Sequence, residues 1–129
     1  MAAINRFQDL TCWQKARELE NMIFQISITD RFSKDYGLKD QINRATGSIM
    51  DNIAEGFGRG GNKEFIHFLI ISRASAYEVQ SQLFRAKDRN YLDSLQFNTF
   101  FDKSNEVIAS ISSFVTYLRN SERKGPRYE

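Results

Sequence analysis

The sequence predicts an all-α fold, an antiparallel up-down-up-down four-helix bundle. Three observations predict it. The only proline among 129 residues is Pro126, so nothing in the body of the chain removes a helical donor or clashes with a preceding turn. Apolar residues recur at steps of three and four in four separate segments. The links between these segments are short enough to make neighbouring helices reverse.

The first segment starts at Thr11. Thr11-Cys12-Trp13-Gln14 has the form of a capping box, with Thr11 capping and Gln14 reaching back. Cys12, Ala16, Leu19, Ile23 and Ile26 then make one stripe, flanked by Trp13 and Phe24. Asp30, Ser33 and Gly37 mark the exit.

The second segment starts near Leu38. Leu38, Ile42, Ala45, Ile49 and Ile53 share a face, beside a polar stripe of Gln41, Ser48, Asn52 and Glu55. Gly47 stands mid-helix, where it costs about 1 kcal/mol relative to alanine. It is read as a place where another backbone approaches closely. Gly56 is read as the helix end.

The third segment begins after Asn62, a favourable N-cap, and runs to about Arg89. It carries two apolar stripes. One is Phe65, Phe68, Leu69, Ser72, Ala76, Val79, Leu83 and Ala86; the other is Ile66, Ile70, Tyr77 and Phe84. A surface helix needs one apolar face, so the second stripe is expected to meet another subunit.

The fourth segment opens at Asp93 with Gln96 three residues on. Its broad stripe is Phe97, Phe100, Phe101, Ile108, Ile111, Phe114, Val115 and Leu118. One domain over residues 1–119 is expected, followed by a basic tail at 120–129 that has no apolar period and is expected to be disordered.

Composition bounds the function. Hydrophobic residues are 41% and charged residues 26%, as in ordinary globular domains. No run approaches the length of a membrane span, and Met1–Arg6 lacks the apolar core of a signal peptide. Residues 1–61 hold eight basic and eight acidic side chains; residues 62–129 hold ten and eight. Neither half resembles a nucleic-acid-binding arm. The single cysteine, Cys12, excludes an intrachain disulfide and a cysteine-built metal site, and suits a reducing, cytoplasmic setting.

The motifs that could carry chemistry are incomplete. Gly56–Gly61 matches G-x-G-x-x-G, but a helix precedes it where a dinucleotide site needs a strand. It reads as a helix end and a turn, with Arg59 and Lys63 placed to touch a phosphate. Glu64-x-x-His67 has the spacing of half a di-iron site, yet the chain has one histidine. Ser72 and Ser75 sit on the same helix as His67, with no nucleophile elbow. Cys12 belongs to an apolar stripe. Asp51 and Glu55 lie one turn apart on a polar surface with no cleft in view. Neither a cofactor nor a metal site is expected, and no catalytic residue. Arg85, Lys87 and Arg89 close the third helix, and Arg119, Arg123, Lys124 and Arg127 follow the fourth. Such residues bind phosphate when they gather on one face; otherwise they complement helix dipoles.

In the second and third helices the order of residues becomes distinctive. Tyr36-Gly37-Leu38, Gln41-Ile42-Asn43-Arg44-Ala45, Ser48-Ile49 and Asn52-Ile53-Ala54-Glu55-Gly56-Phe57-Gly58-Arg59 are followed by Lys63-Glu64-Phe65, Phe68-Leu69 and Glu78. With Leu10 and Trp13-Gln14-Lys15-Ala16 upstream, this resembles the four-helix-bundle family of 23S rRNA intervening-sequence proteins over roughly residues 7–119. The resemblance implies a bacterial, cytoplasmic protein that assembles as a homopentameric ring. Members are often encoded within inserts in the large-subunit rRNA gene. A related branch, the accessory proteins of diversity-generating retroelements, binds nucleic acid and a reverse transcriptase. The resemblance brings no catalytic residues.

This chain departs from the family pattern at three places. Phe32-Ser33 and Ile49-Met50 stand where prolines are usual, which implies a straighter second helix. Asn43-Arg44 stands for a paired arginine, one phosphate contact fewer, and Ala74-Ser75 stands for Gly-Ser.

The resulting expectation is a non-enzymatic homo-oligomer with Gly47, Ile66, Ile70, Tyr77 and Phe84 at the subunit interface. It would serve as an RNA-associated scaffold touching nucleic acid through Arg44, Arg59, Lys63, Arg119, Arg123 and Lys124. The alternative is a protein-interaction adaptor that uses the polar stripe of the second helix, with no nucleic-acid role.

Overall fold

The computed structural model describes residues 4–121. Four helices carry the fold: α1 (Thr11–Ser27), α2 (Tyr36–Gly58), α3 (Asn62–Asp88) and α4 (Ser94–Asn120). Single 3-10 turns at Phe7–Asp9 and Phe32–Lys34 precede α1 and α2, and no strand occurs among the described residues. Each helix packs on two others, α1 on α2 and α4, and α3 on α2 and α4. The circuit closes around one core.

The stripes read from the sequence line that core. Leu19, Ile23, Ile42, Ile49, Ile53, Phe65, Leu69, Leu83 and Ile111 are fully buried. Each such side chain contributes about 1.5–3 kcal/mol relative to exposure, far more than helix propensity does per residue. Burial therefore decides which faces turn inward.

The helix ends differ from the sequence reading in four places. Asp93 and Gln96 form the expected capping box at α4, but Thr11 and Gln14 do not form one at α1. Leu10 occupies the cap, and Gln14 Nε2 donates instead to the Gln8 carbonyl at 3.0 Å. The preceding 3-10 turn offers Gln14 that acceptor. At α2 the cap is Asp35, whose Oδ1 accepts from the Leu38 amide, so the helix starts two residues early at Tyr36. Asn62 is the first residue of α3 rather than its cap, and its Nδ2 donates to the Leu118 carbonyl across the core. Gly56 does not end α2, which runs on to Gly58.

The α3–α4 link follows the Schellman pattern. Asn90 takes a left-handed φ of 63°, the Tyr91 amide donates to the Ala86 carbonyl, and the Asn90 amide donates to Lys87. Asparagine tolerates that conformation better than other non-glycine residues.

A polar seam holds α2 to α3. Ser72 Oγ donates to the Ile49 carbonyl at 2.7 Å, and Ser48 and Ser75 share a hydrogen bond at 3.0 Å. Asn52 bonds Ser48, and Arg85 bonds Gln41. Most of the polar stripe of α2 is thus spent within the chain. Asn43, in place of an arginine, donates to Ser27 and ties α1 to α2. No helix among the described residues is long and apolar enough to cross a membrane.

Candidate functional site

The residues expected to touch nucleic acid do not form one cluster. Arg44 lies fifteen residues before Arg59 on α2, about 22 Å along the helix axis at 1.5 Å per residue. Its guanidinium is paired with Asp40 at 2.8 Å and is mostly exposed. Arg59 is held between Glu55 at 3.6 Å and Glu64 at 3.9 Å, and lies over the Phe68 ring at 5.0 Å. It braces the α2–α3 link. Lys63 is exposed on the first turn of α3, and Arg119 is exposed on the last turn of α4. The Asn62–Leu118 hydrogen bond brings those two turns to the same end of the molecule. Of the expected tail, Asn120 closes α4 and Ser121 caps it, while Arg123, Lys124 and the other residues from 122 on lie outside the described residues.

The expected interface residues divide. Ile70, Tyr77 and Phe84 are 37%, 56% and 48% exposed, and Ile66 is half-buried. Of this second stripe of α3, Ile66 packs against the core of the single chain, while Ile70 and Tyr77 stand outside it. Phe84 nonetheless rests on Phe97 and Phe101 of α4, with ring centroids 4.9 and 5.5 Å away. Gly47 meets nothing: a Cβ placed there has no atom within 4 Å. The close helix approach inside the chain is at Gly56 instead.

The reactive groups are placed as packing elements. Burial pushes the Cys12 thiol up to about 12. Ser72 is buried and donates to a carbonyl, while His67 is exposed on the surface of α3 with its ring edge against Phe68. Among the described residues, no three of the His, Cys, Asp and Glu side chains gather to hold a metal. An apolar groove of about 640 Å³ runs between the start of α1 and α4, over Cys12, Phe114 and Tyr117. The Lys15–Glu106 ion pair, at 3.3 Å, lines it.

A second hollow was not legible in the sequence. Arg31, Lys34, Asp35 and Tyr91 surround about 490 Å³ at the end of the molecule opposite Lys63. Asp35 Oδ2 accepts from Tyr91 Oη at 2.9 Å and from Arg89 Nη1 at 2.7 Å. The Tyr91 hydroxyl, then the Leu38 amide and Arg89, hold the Asp35 carboxyl below its usual range. The same hydrogen bond raises Tyr91. The guanidinium of Arg31 lies 5.5 Å from the Tyr91 ring centroid, and the buried Phe32 ring stacks on Tyr91 at 5.2 Å. Beside Asp35 stands Tyr36, 72% exposed, with Lys39 Nζ 5.5 Å from its ring centroid. Two turns distant in sequence build this end, so only the packing of α1–α2 against α3–α4 reveals it.

Comparison with known proteins places this chain. The family of the 23S rRNA-intervening sequence protein matches residues 8–113. A solved structure from Bacteroides thetaiotaomicron, a protein of unknown function from the S23 ribosomal protein family, is similar with a TM-score of 0.74 at 22% identity. The match covers 81% of this chain and 98% of that one. No curated protein matches.

Proposed function

Because the chain belongs to the 23S rRNA-intervening sequence protein family, we propose that it is a non-enzymatic, RNA-associated scaffold built as a homopentameric ring of antiparallel bundles. The observation that carries the assembly is the exposed row of Ile70, Tyr77 and Phe84 on α3. A monomer gains nothing by leaving that row in water, and a partner copy would bury it. The antiparallel order is supported by residue pairs that run in opposite senses. Gln41 meets Arg85 while Ser48 meets Ser75, and Gln80 meets Ser104 while Arg73 meets Ser112. On α1 and α4, Lys15 pairs with Glu106 while Glu18 pairs with Lys103.

The RNA role rests on the family and on the distribution of cations over both ends of the molecule. Repeating a +2 subunit in a ring strengthens encounter with phosphate without conferring sequence preference. A bacterial, reducing, cytoplasmic setting fits the lone buried Cys12. The adaptor reading is less favoured, because the α2 polar stripe that would serve it is bonded within the chain at Gln41, Ser48 and Asn52.

Light scattering with an absorbance ratio at 260 and 280 nm, on protein not treated with nuclease, tests both parts. The expected result is five times the 15.0 kDa chain mass with excess absorbance at 260 nm. A monomer overturns the ring. A clean pentamer that binds no RNA fragment at low salt overturns the RNA role and favours a protein partner.

A further inference from the structure

The hollow around Tyr91 lies apart from the α3 row of Ile70, Tyr77 and Phe84 on which the proposed assembly rests. Asp35 spends its carboxylate on three donors of its own chain, namely the Leu38 amide, Tyr91 Oη and Arg89. Asp40, the next carboxylate along, is held by Arg44. Asp30 is exposed one residue before Arg31. Among the described residues, neither Arg31 nor Lys34 forms an ion pair, and both line the hollow. Arg31 is held in place by its contact with the Tyr91 ring. Two residues after Lys34, Tyr36 presents a ring that is 72% exposed at the first position of α2, with Lys39 Nζ 5.5 Å from its centroid.

An exposed ring beside unpaired cations is the combination that binds single strands: bases stack on the ring and phosphates meet the cations. A duplex keeps its base faces covered and gives the ring nothing to stack on. The hollow falls within the roughly 300–1,000 Å³ of small-ligand sites, large enough for part of one nucleotide. We propose that this end of the molecule binds an unpaired stretch of RNA, with a base stacked on Tyr36 and the adjoining phosphates against Arg31 and Lys34. This inference rests on the RNA reading above and adds the site and the form of RNA.

The test is fluorescence anisotropy with labelled oligoadenylate of about 12 nucleotides, a length within the site size of small single-strand binders, and with its duplex. The intact protein should prefer the single strand. Tyr36→Ser should weaken that binding about tenfold, and Tyr36→Trp should retain it, as a stacking contact requires. Arg31→Gln with Lys34→Gln should flatten the plot of log affinity against log salt by about 1.4, or 0.7 for each phosphate released. These side chains are exposed, and an unchanged helical circular dichroism signal confirms the fold. Single-strand binding that ignores Tyr36, Arg31 and Lys34 but falls on Arg59→Gln with Lys63→Gln overturns this site and leaves the RNA reading standing. Displacement of the RNA by polyglutamate at equal charge also overturns it, since an acidic chain has no bases to stack. If the intact protein binds no RNA at all, both readings fall.

Discussion

Gly56 of α2 faces Phe68 of α3 so closely that a Cβ on the glycine would lie 2.6 Å from the Phe68 Cβ and 2.9 Å from a ring carbon of Phe65. The backbone of α2 passes α3 here with no room for a side chain. The contact lies at the end of α2 where the three-residue link to α3 begins, and it sets how tightly the two helices can turn.

Alanine at Gly56 and at Gly47 should therefore act in opposite directions. Gly56→Ala forces Phe68 or the helix backbone to move and should destabilise by about 1–3 kcal/mol, as overpacking does. Gly47→Ala meets empty space within its own chain and should stabilise the subunit by about 0.5–1 kcal/mol through helix propensity. Urea unfolding with an unchanged m-value checks both. If Gly47 also serves the ring, its alanine variant will lower the solution mass while keeping the folded subunit.

The Asp35–Tyr91 bond predicts a defined pH window. Asp35 is lowered in the folded chain, so its contribution is present above the unfolded value of about 3.9 and is lost as pH falls through the folded value. Tyr91 is raised, so its contribution is present below the unfolded value of about 10 and is lost as pH rises through the folded one. Thermal melts of the native chain and of Asp35→Ala should differ between those limits and converge at lower pH. At neutral pH the loss should be about 1 kcal/mol, the usual worth of an N-cap. Tyr91→Phe should move the acid transition upward, because the hydroxyl is the largest cause of the lowered Asp35 value.

Periodicity made the four helices and their buried faces legible, since a stripe such as Leu38, Ile42, Ala45, Ile49 and Ile53 leaves a helix one way to face the core. Local signals at the ends were less secure. The same box pattern closes at Asp93 and fails at Thr11, because a 3-10 turn in front of α1 supplies Gln14 with another acceptor. Asn62 looked like a cap but serves as a cross-link to Leu118. Gly47 and Gly56 were both visible, and only packing shows that the second one takes the close approach. The cations were visible as residues, but their grouping depends on which turns share an end. Arg31 and Lys34 join Arg89 and Tyr91 across more than fifty positions of sequence, a relationship no local pattern encodes.

Cys12 should be unreactive in the folded chain. It is buried at 3% exposure, and burial raises its thiol to about 12, so almost no thiolate exists at pH 8. A disulfide reagent added to native protein should label it only at the rate of unfolding. Labelling in denaturant should be immediate and stoichiometric, at one thiol per chain. Fast labelling of the native protein would place α1 outside the well-packed core, and would make the adjacent groove an open, mobile site.

The second stripe of α3 yields the sharpest assembly prediction. Tyr77 is more exposed than Ile70 or Phe84, and among the described residues its ring stacks on no other ring, unlike Phe84 on Phe97 and Phe101. Tyr77→Glu should leave the helical signal and the subunit stability within about 0.5 kcal/mol, as surface changes do. In a ring that buries Tyr77, the same change places an unpaired charge in an apolar contact at every interface, which costs several kcal/mol each. The expected outcome is a solution mass that drops to that of the single chain with the fold intact. Phe84→Ala should be costly even in the monomer, because it strips a ring from the α3–α4 cluster. The pair of variants therefore separates loss of assembly from loss of folding. Should Tyr77→Glu keep the mass of the native protein, the α3 stripe is not the interface of the proposed ring, and Ile70 and Tyr77 would then be open to a different partner.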